Sequence, residues 1–221
     1  MLEKIGELDS DRCNVVSFKE RFDHMGLTCL IFEMLDISLW NLVIDHKRAL
    51  SPSEIRPIAQ QLLVAFDTLK DIGVIHSDLK PDNIMLTNRK LEPYRVKLID
   101  FGLARNIAEV RQGQKKQPSG YRAPEVTLGC EFDVPIDMWG LGSTLALLLL
   151  KQHLFPDSGY QSVKMMVDLL GMPPANMLRD GVYSQYYFTK EDDDQRRPTW
   201  RLLTPEEFIT LDCVIQLGDC K

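Results

Sequence analysis

The sequence predicts an α+β fold, and three observations carry that reading. From Ser51 to Gly73, apolar Ile55, Ile58, Leu62, Phe66, Leu69 and Ile72 recur at steps of three and four, the pattern of a helix with one buried face. The run L-G-S-T-L-A-L-L-L-L (Leu141 to Leu150) stops at Lys151, which suits a buried helix and is too short to span a bilayer. Strand signals are short and early: Val15 to Asp23 and Leu27 to Leu35 flank H-M-G as the two arms of a hairpin.

The remaining elements follow in order. Residues 1–9 carry a helical pattern that begins in mid-phase. Ser51 with Glu54 forms a capping-box signature, Gly73 is a natural stop, and Pro57 falls in the early turns, where its missing N–H costs little. Short strands are expected at Asn83 to Leu86 and Arg95 to Ile99. The polar stretch N-I-A-E-V-R-Q-G-Q-K-K-Q-P-S-G reads as a mobile loop. Residues 133–150 form the apolar helix, and Tyr160 to Leu170 form an amphipathic one. Met172 to Leu203, with its E-D-D-D-Q-R-R-P, reads as loop with one or two short helices. The closing F-I-T-L-D-C-V-I-Q-L-G-D-C-K gives no tidy domain end.

A chain of 221 residues is one large domain or two small ones. Its net charge of −6 argues against general nucleic-acid affinity, which needs a basic face to displace counterions. The five cysteines are scattered, odd in number and without a C-x-x-C pair, as expected of a reduced intracellular chain lacking a cysteine metal site. The N-terminal M-L-E-K-I-G-E-L-D has no apolar signal region.

The chemistry sits in V-I-H-S-D-L-K-P-D-N-I-M (Val74 to Met85). Asp78, Lys80 and Asn83 stand between apolar flanks, where polar residues of this kind imply a shaped loop. A plain turn built on Pro81-Asp82-Asn83 is the structural alternative. L-I-D-F-G (Leu98 to Gly102) then brings a second acid, Asp100, to a glycine turn. R-A-P-E (Arg122 to Glu125) and D-M-W-G-L-G (Asp137 to Gly142) come later. Each alone is weak, but the ordered set is specific. Asn83 and Asp100 offer the hard oxygen ligands that Mg²⁺ prefers. Asp78 can orient a hydroxyl and take its proton, and Lys80 is a point charge suited to a phosphate.

This set resembles the C-terminal part of the protein-kinase domain. T-C-L-I-F-E-M-L, I-R-P-I-A-Q-Q, Y-R-V-K-L-I-D-F-G, Y-R-A-P-E, P-I-D-M-W and W-R-L-L-T-P-E-E narrow it. They resemble the homeodomain-interacting protein kinases, near the dual-specificity tyrosine-regulated kinases, in the CMGC group. The resemblance implies a mainly helical C-terminal lobe with a remnant of the small β lobe. Residues 1–35 would be that remnant with the hinge, and 36–221 a C-terminal lobe incomplete at its end. ATP and Mg²⁺ are the implied cofactors. Asp78, Lys80, Asn83 and Asp100 would be catalytic, with Asn83 and Asp100 holding the metal. Glu33, Leu35, Met85 and Ile99 would hold the nucleotide, with Phe32 as gatekeeper. His76 and Phe101 look like members of a hydrophobic spine. Asp137 resembles the acid that ties down the catalytic loop, although a simple helix cap accounts for it equally.

The implied activity is transfer of the ATP γ-phosphate to protein Ser or Thr hydroxyls, since Lys80 followed by Pro81 matches serine/threonine rather than tyrosine kinases. Protein substrates and transcription-related regulators are the implied partners, without direct nucleic-acid or membrane contact, in the nucleus or cytoplasm. The sequence departs from the pattern in places. No Gly-rich loop or V-A-I-K strand occurs in it, so it reads as a core cut at both ends, expected to bind ATP weakly alone. Ser77 replaces the usual Arg, Lys115 falls where the family has its autophosphorylated Tyr, and Ser119 and Gly120 replace the following Arg and Tyr. The alternative is therefore a non-catalytic kinase-fold binding or regulatory module. Small-molecule phosphotransferases share the H-x-D loop, but A-P-E and D-x-W-x-x-G argue against them.

Overall fold

A computed structural model describes the chain at residues 1–45, 47–192 and 198–218. It divides into two compact units, residues 1–109 with 133–154 and residues 110–132 with 155–221.

In the first unit the expected N-terminal helix ends early. α1 (Leu2–Gly6) gives way to a separate turn, α2 (Ser10–Cys13), because Asp9 caps it by accepting the N–H groups of Asp11 and Arg12, both at 3.2 Å. β1 (Phe18–His24) and β2 (Leu27–Phe32) pair antiparallel through the two residues Met25 and Gly26. Both of these have positive φ, 49° and 75°, as tight hairpin turns require. The arms are shorter than the sequence predicts. Val15 instead bridges to Leu98, and the second strand stops at Phe32, leaving Glu33 to Leu35 outside the ladder.

α3 (Pro52–Asp71) follows with the capping box in place, the Glu54 carboxylate accepting the Ser51 N–H at 2.8 Å. Ile58, Leu62, Ala65, Phe66 and Leu69 form its buried face, and each large side chain is worth about 1.5–3 kcal/mol. Ile55 and Ile72, at the margins of the stripe, are only half-buried. Gly73, at φ +69°, turns the chain into β3 (Val74–Ile75). β4 (Ile84–Asn88) and β5 (Glu92–Leu98) form an antiparallel pair packed on α3, and β6 (Arg105–Asn106) pairs with β3.

Past α4 (Pro124–Thr127), which belongs to the second unit, the apolar α5 (Pro135–Leu150) packs against α3. No helix among the described residues is long and apolar enough to cross a membrane.

The second unit gathers α4, α6 (Gly159–Leu170) and α7 (Ala175–Asp180) around Leu128, Cys130, Val163, Leu178 and Phe188. The sequence predicts no strand beyond residue 172, yet β7 (Phe188–Asp192) and β8 (Pro198–Leu202) form a hairpin. Their residues F-T-K-E-D and P-T-W-R-L are mostly polar and lack the alternation that marks a half-buried strand. Pairing rests on cross-strand contacts such as Lys190 over the Trp200 ring at 4.9 Å. Residues 193–197, most of the quoted acidic and basic run, lie outside the described residues, as do the final three of the closing segment. That segment forms α8 (Pro205–Gly218). Tyr160 secures the hairpin's end, donating its hydroxyl to the Leu203 carbonyl at 2.6 Å.

The polar stretch expected as a mobile loop contains short 3₁₀ turns at Ile107–Glu109 and Ser119–Tyr121, and its part in the second unit has named anchors there. Arg122 donates to the carbonyls of Lys116 and Gln117, both at 2.9 Å, and the Gln117 side chain accepts the Ala123 N–H at 2.9 Å. Lys115 lies over the Tyr183 ring at 4.9 Å, while the Tyr183 hydroxyl donates to the Gly113 carbonyl at 2.8 Å.

Glu54 supplies a test of the α3 cap. The Tyr94 hydroxyl, then the Ser51 N–H and the Arg48 guanidinium, hold its carboxyl at about 2, against an ordinary 4.5. A depressed folded-state pKa gives stability that is fully present above about 4.5 and is lost as pH falls towards about 2. Thermal melting of Glu54→Gln should therefore be flatter across that window than melting of the unaltered chain. Parallel profiles would show that the cap contributes nothing through this carboxylate.

Candidate active site

The polar loop begins where β3 ends and is shaped by one buried acid. Asp137, in the first turn of α5 and only 2% exposed, accepts the His76 N–H at 2.7 Å on one oxygen and the Ser77 N–H at 2.9 Å on the other. Burial pushes the Asp137 carboxyl upward, and the neighbouring His76 and the two N–H donors offset only part of that rise. Ser77 has φ 59°, a left-handed conformation that costs a non-glycine residue about 1–2 kcal/mol, so it must be held. Asp137 holds its N–H. The Ser77 hydroxyl holds the far side, donating to the Leu103 carbonyl at 2.6 Å. The expected tie-down role of Asp137 is thus a geometric fact, and it is not the cap of its own helix.

His76 is fully buried. Its Nε2 meets the Ile99 carbonyl at 3.0 Å, and its ring lies edge-on to Phe101, with centroids 5.1 Å apart. The backbone on which Asp78 stands is therefore fixed from both sides. Lys80 Nζ donates to the two Asp78 oxygens at 3.3 and 3.1 Å. The Asn83 amide donates to the Asp78 carbonyl and to its Oδ2, both at 2.9 Å, which orients the amide oxygen of Asn83 away from Asp78. Pro81 opens the 3₁₀ turn Pro81–Asn83 that carries this amide, and the Asn83 carbonyl accepts the Ile99 N–H at 2.9 Å.

Asp100, also left-handed at φ 60°, follows β5 and is exposed, its carboxylate accepting the Gly102 N–H at 3.1 Å. It borders a cavity of about 500 Å³ lined by Val16, Leu30, Phe32, Glu33, Met34, Leu35, Met85, Ile99, Asp100, Phe101 and Gly102. Glu33, Leu35, Met85 and Ile99 thus share one cavity wall with Asp100, while Asp78, Lys80 and Asn83 form one hydrogen-bonded group. That volume and the mostly apolar lining suit a flat aromatic base. An amide oxygen and a carboxylate, leaving room for water and phosphate oxygens, form a donor set suited to Mg²⁺. Among the described residues no group of three or more His, Cys, Asp or Glu side chains is placed to hold a metal by itself.

Sequence reasoning missed Lys97 and Ser10. Lys97 is 3% exposed, and its ammonium meets Glu33 at 2.8 and 2.9 Å and Ser10 Oγ at 2.7 Å. A lysine inside the apolar strand V-K-L-I was the available signal, since a buried ammonium requires a partner.

Comparison with known proteins places the chain in a family. The model of the protein kinase domain matches residues 4–201, and the chain belongs to that family, whose members in general use ATP and Mg²⁺. Homeodomain-interacting protein kinase 1 of Mus musculus is 40% identical over 209 residues, covering 94% of this chain. Homeodomain-interacting protein kinase 2 of Mesocricetus auratus is 39% identical over 209 residues, again 94% of this chain. Homeodomain-interacting protein kinase 4 of Homo sapiens is 33% identical over 206 residues, or 91%. The chain spans 17%, 18% and 33% of the lengths of these three relatives.

Removing the Asp137 carboxylate strands two buried N–H donors, at about 1–3 kcal/mol each. Asp137→Ala should therefore lower the urea-unfolding free energy by about 2–6 kcal/mol, with Asp137→Asn costing less because one amide oxygen still accepts. A loss in Asp137→Ala no larger than that of an exposed substitution such as Asp168→Ala would contradict the assigned role.

Proposed function

We propose that this chain carries the phosphotransfer site of a serine/threonine protein kinase. The observation that carries the reading is the convergence of Lys80 and Asn83 on Asp78, beside a cavity that Asp100 borders. A protein hydroxyl placed against Asp78 would be oriented by its carboxylate and would yield its proton there as the phosphoryl group departs from ATP. Lys80 neutralises Asp78 in the resting site and, being half-exposed on a flexible stem, can turn to the transferring phosphate. Asn83 and Asp100 would hold Mg²⁺, which when bound neutralises charge on the phosphates. Glu33 and Leu35 would present backbone groups to the adenine, with Met85 and Ile99 against its face.

Pro81 after Lys80, with the similarity to homeodomain-interacting protein kinases, supports Ser and Thr as acceptors. By the same similarity we propose transcription-related proteins as substrates or partners and the nucleus or cytoplasm as the place of action. Ser77, paired with the Leu103 carbonyl where relatives of the wider family carry Arg, favours a loop whose shape does not depend on a bound phosphate.

Transfer of radiolabelled phosphate from ATP to a basic protein tests the reading. Asp78→Asn should lower the rate by about 10²- to 10⁴-fold, the usual worth of a positioned base, while nucleotide binding persists. A rate that Asp78→Asn leaves unchanged would sink the proposal.

A further inference from the structure

We infer that Lys97 is the positioning residue for the adenine-facing segment Glu33 to Leu35, a buried ammonium that sets the shape of the nucleotide cavity without touching the nucleotide. This rests on the nucleotide-binding reading above. The β1–β2 ladder ends at Phe32, so the cavity-lining residues that follow have no strand partner. They are suspended between two anchors. One is the Asp36 N–H, which donates to the Leu86 carbonyl at 2.8 Å.

The other anchor is Glu33 itself. Its N–H donates to the Ser17 carbonyl at 3.0 Å, and its carboxylate accepts the Ser17 N–H at 2.6 Å. That carboxylate is folded back by Lys97, whose Nζ reaches both of its oxygens, the Ser10 hydroxyl and the Asp11 carboxylate, all within 2.9 Å. Three ammonium protons serve four oxygens, so at least one proton is shared. Burial alone would push the Glu33 carboxyl up, yet Lys97, with the Ser17 N–H and the Ser10 hydroxyl, holds it below its ordinary value.

An ion pair made on a buried ammonium is a poor device for stability, because desolvation of the lysine offsets much of the attraction. It is a good device for fixing geometry. Lys97 lies on β5 three residues before Asp100, so one side chain joins the α2 turn, the segment that would face adenine and the strand that delivers the candidate metal ligand.

Calorimetric titration with ATP and with adenosine, which lacks phosphates, tests this. Lys97→Met should weaken both ligands by about tenfold, the value of one lost hydrogen bond to the base, and Lys97→Arg should restore most of it. Lys164→Met, on the exposed face of α6, should change neither. Where Lys97→Met does not fold, Glu33→Gln reads the same quantity and should weaken both ligands in the same direction. Full affinity for adenosine in the Lys97 and Glu33 variants, beside binding by the unaltered chain, overturns the positioning role alone. Weakening of ATP with adenosine unaffected overturns it too, since the effect would then lie at the phosphates. An unaltered chain that binds neither ligand overturns the nucleotide reading and this inference together.

Discussion

The site depends on a single buried carboxylate. Asp137 sits far along the chain from the loop it controls, yet its two oxygens take the successive N–H groups of His76 and Ser77. Without them the left-handed Ser77 would lose its backbone anchor and keep the bond of its hydroxyl to the Leu103 carbonyl. Asp78 follows directly, so its direction is set by the same contact. The apolar packing of α5 on α3 delivers Asp137 to this place, which links an ordinary hydrophobic stripe to the chemistry.

A second polar device holds the cavity-lining segment at Glu33. Lys97 is a charged group where the burial pattern of β5 would favour an aliphatic one, and Glu33 is its ion-pair partner. They accept a desolvation cost in return for a fixed segment beyond the end of β2. Both devices follow the same logic: an irregular, functional stretch of backbone is held by a buried charge from a regular element. The anchors of Arg122 and Gln117 in the second unit, which use backbone carbonyls and one amide, shape the polar stretch in a similar way.

Much of this was legible in the sequence because the constraints are local. Loop residues at Asp78, Lys80, Asn83 and Asp100 declared themselves as polar groups between apolar flanks, and α3 and α5 through period and capping. What escaped had no local signature. The β7–β8 hairpin pairs polar strands whose stabilising contacts lie across the ladder rather than along it. β2 ends at Phe32 although F-E-M-L continues an apolar run, because the Glu33 side chain turns back to Lys97 and Asp36 turns to Leu86. The α1 break required weighing the Asp9 cap against a continuous helical period. The Lys97 network joins residues tens of positions apart, which periodicity cannot see.

The central proposal is that the first unit would hold a nucleotide along Glu33 to Leu35, with its metal at Asn83 and Asp100. A crystal structure with Mg²⁺ and a non-hydrolysable ATP analogue tests it most directly. The account predicts the base against Met85 and Ile99, and Mg²⁺ at about 2.0–2.1 Å from the Asn83 amide oxygen and an Asp100 carboxylate oxygen. An analogue bound elsewhere, or a metal that ignores both side chains, would contradict it.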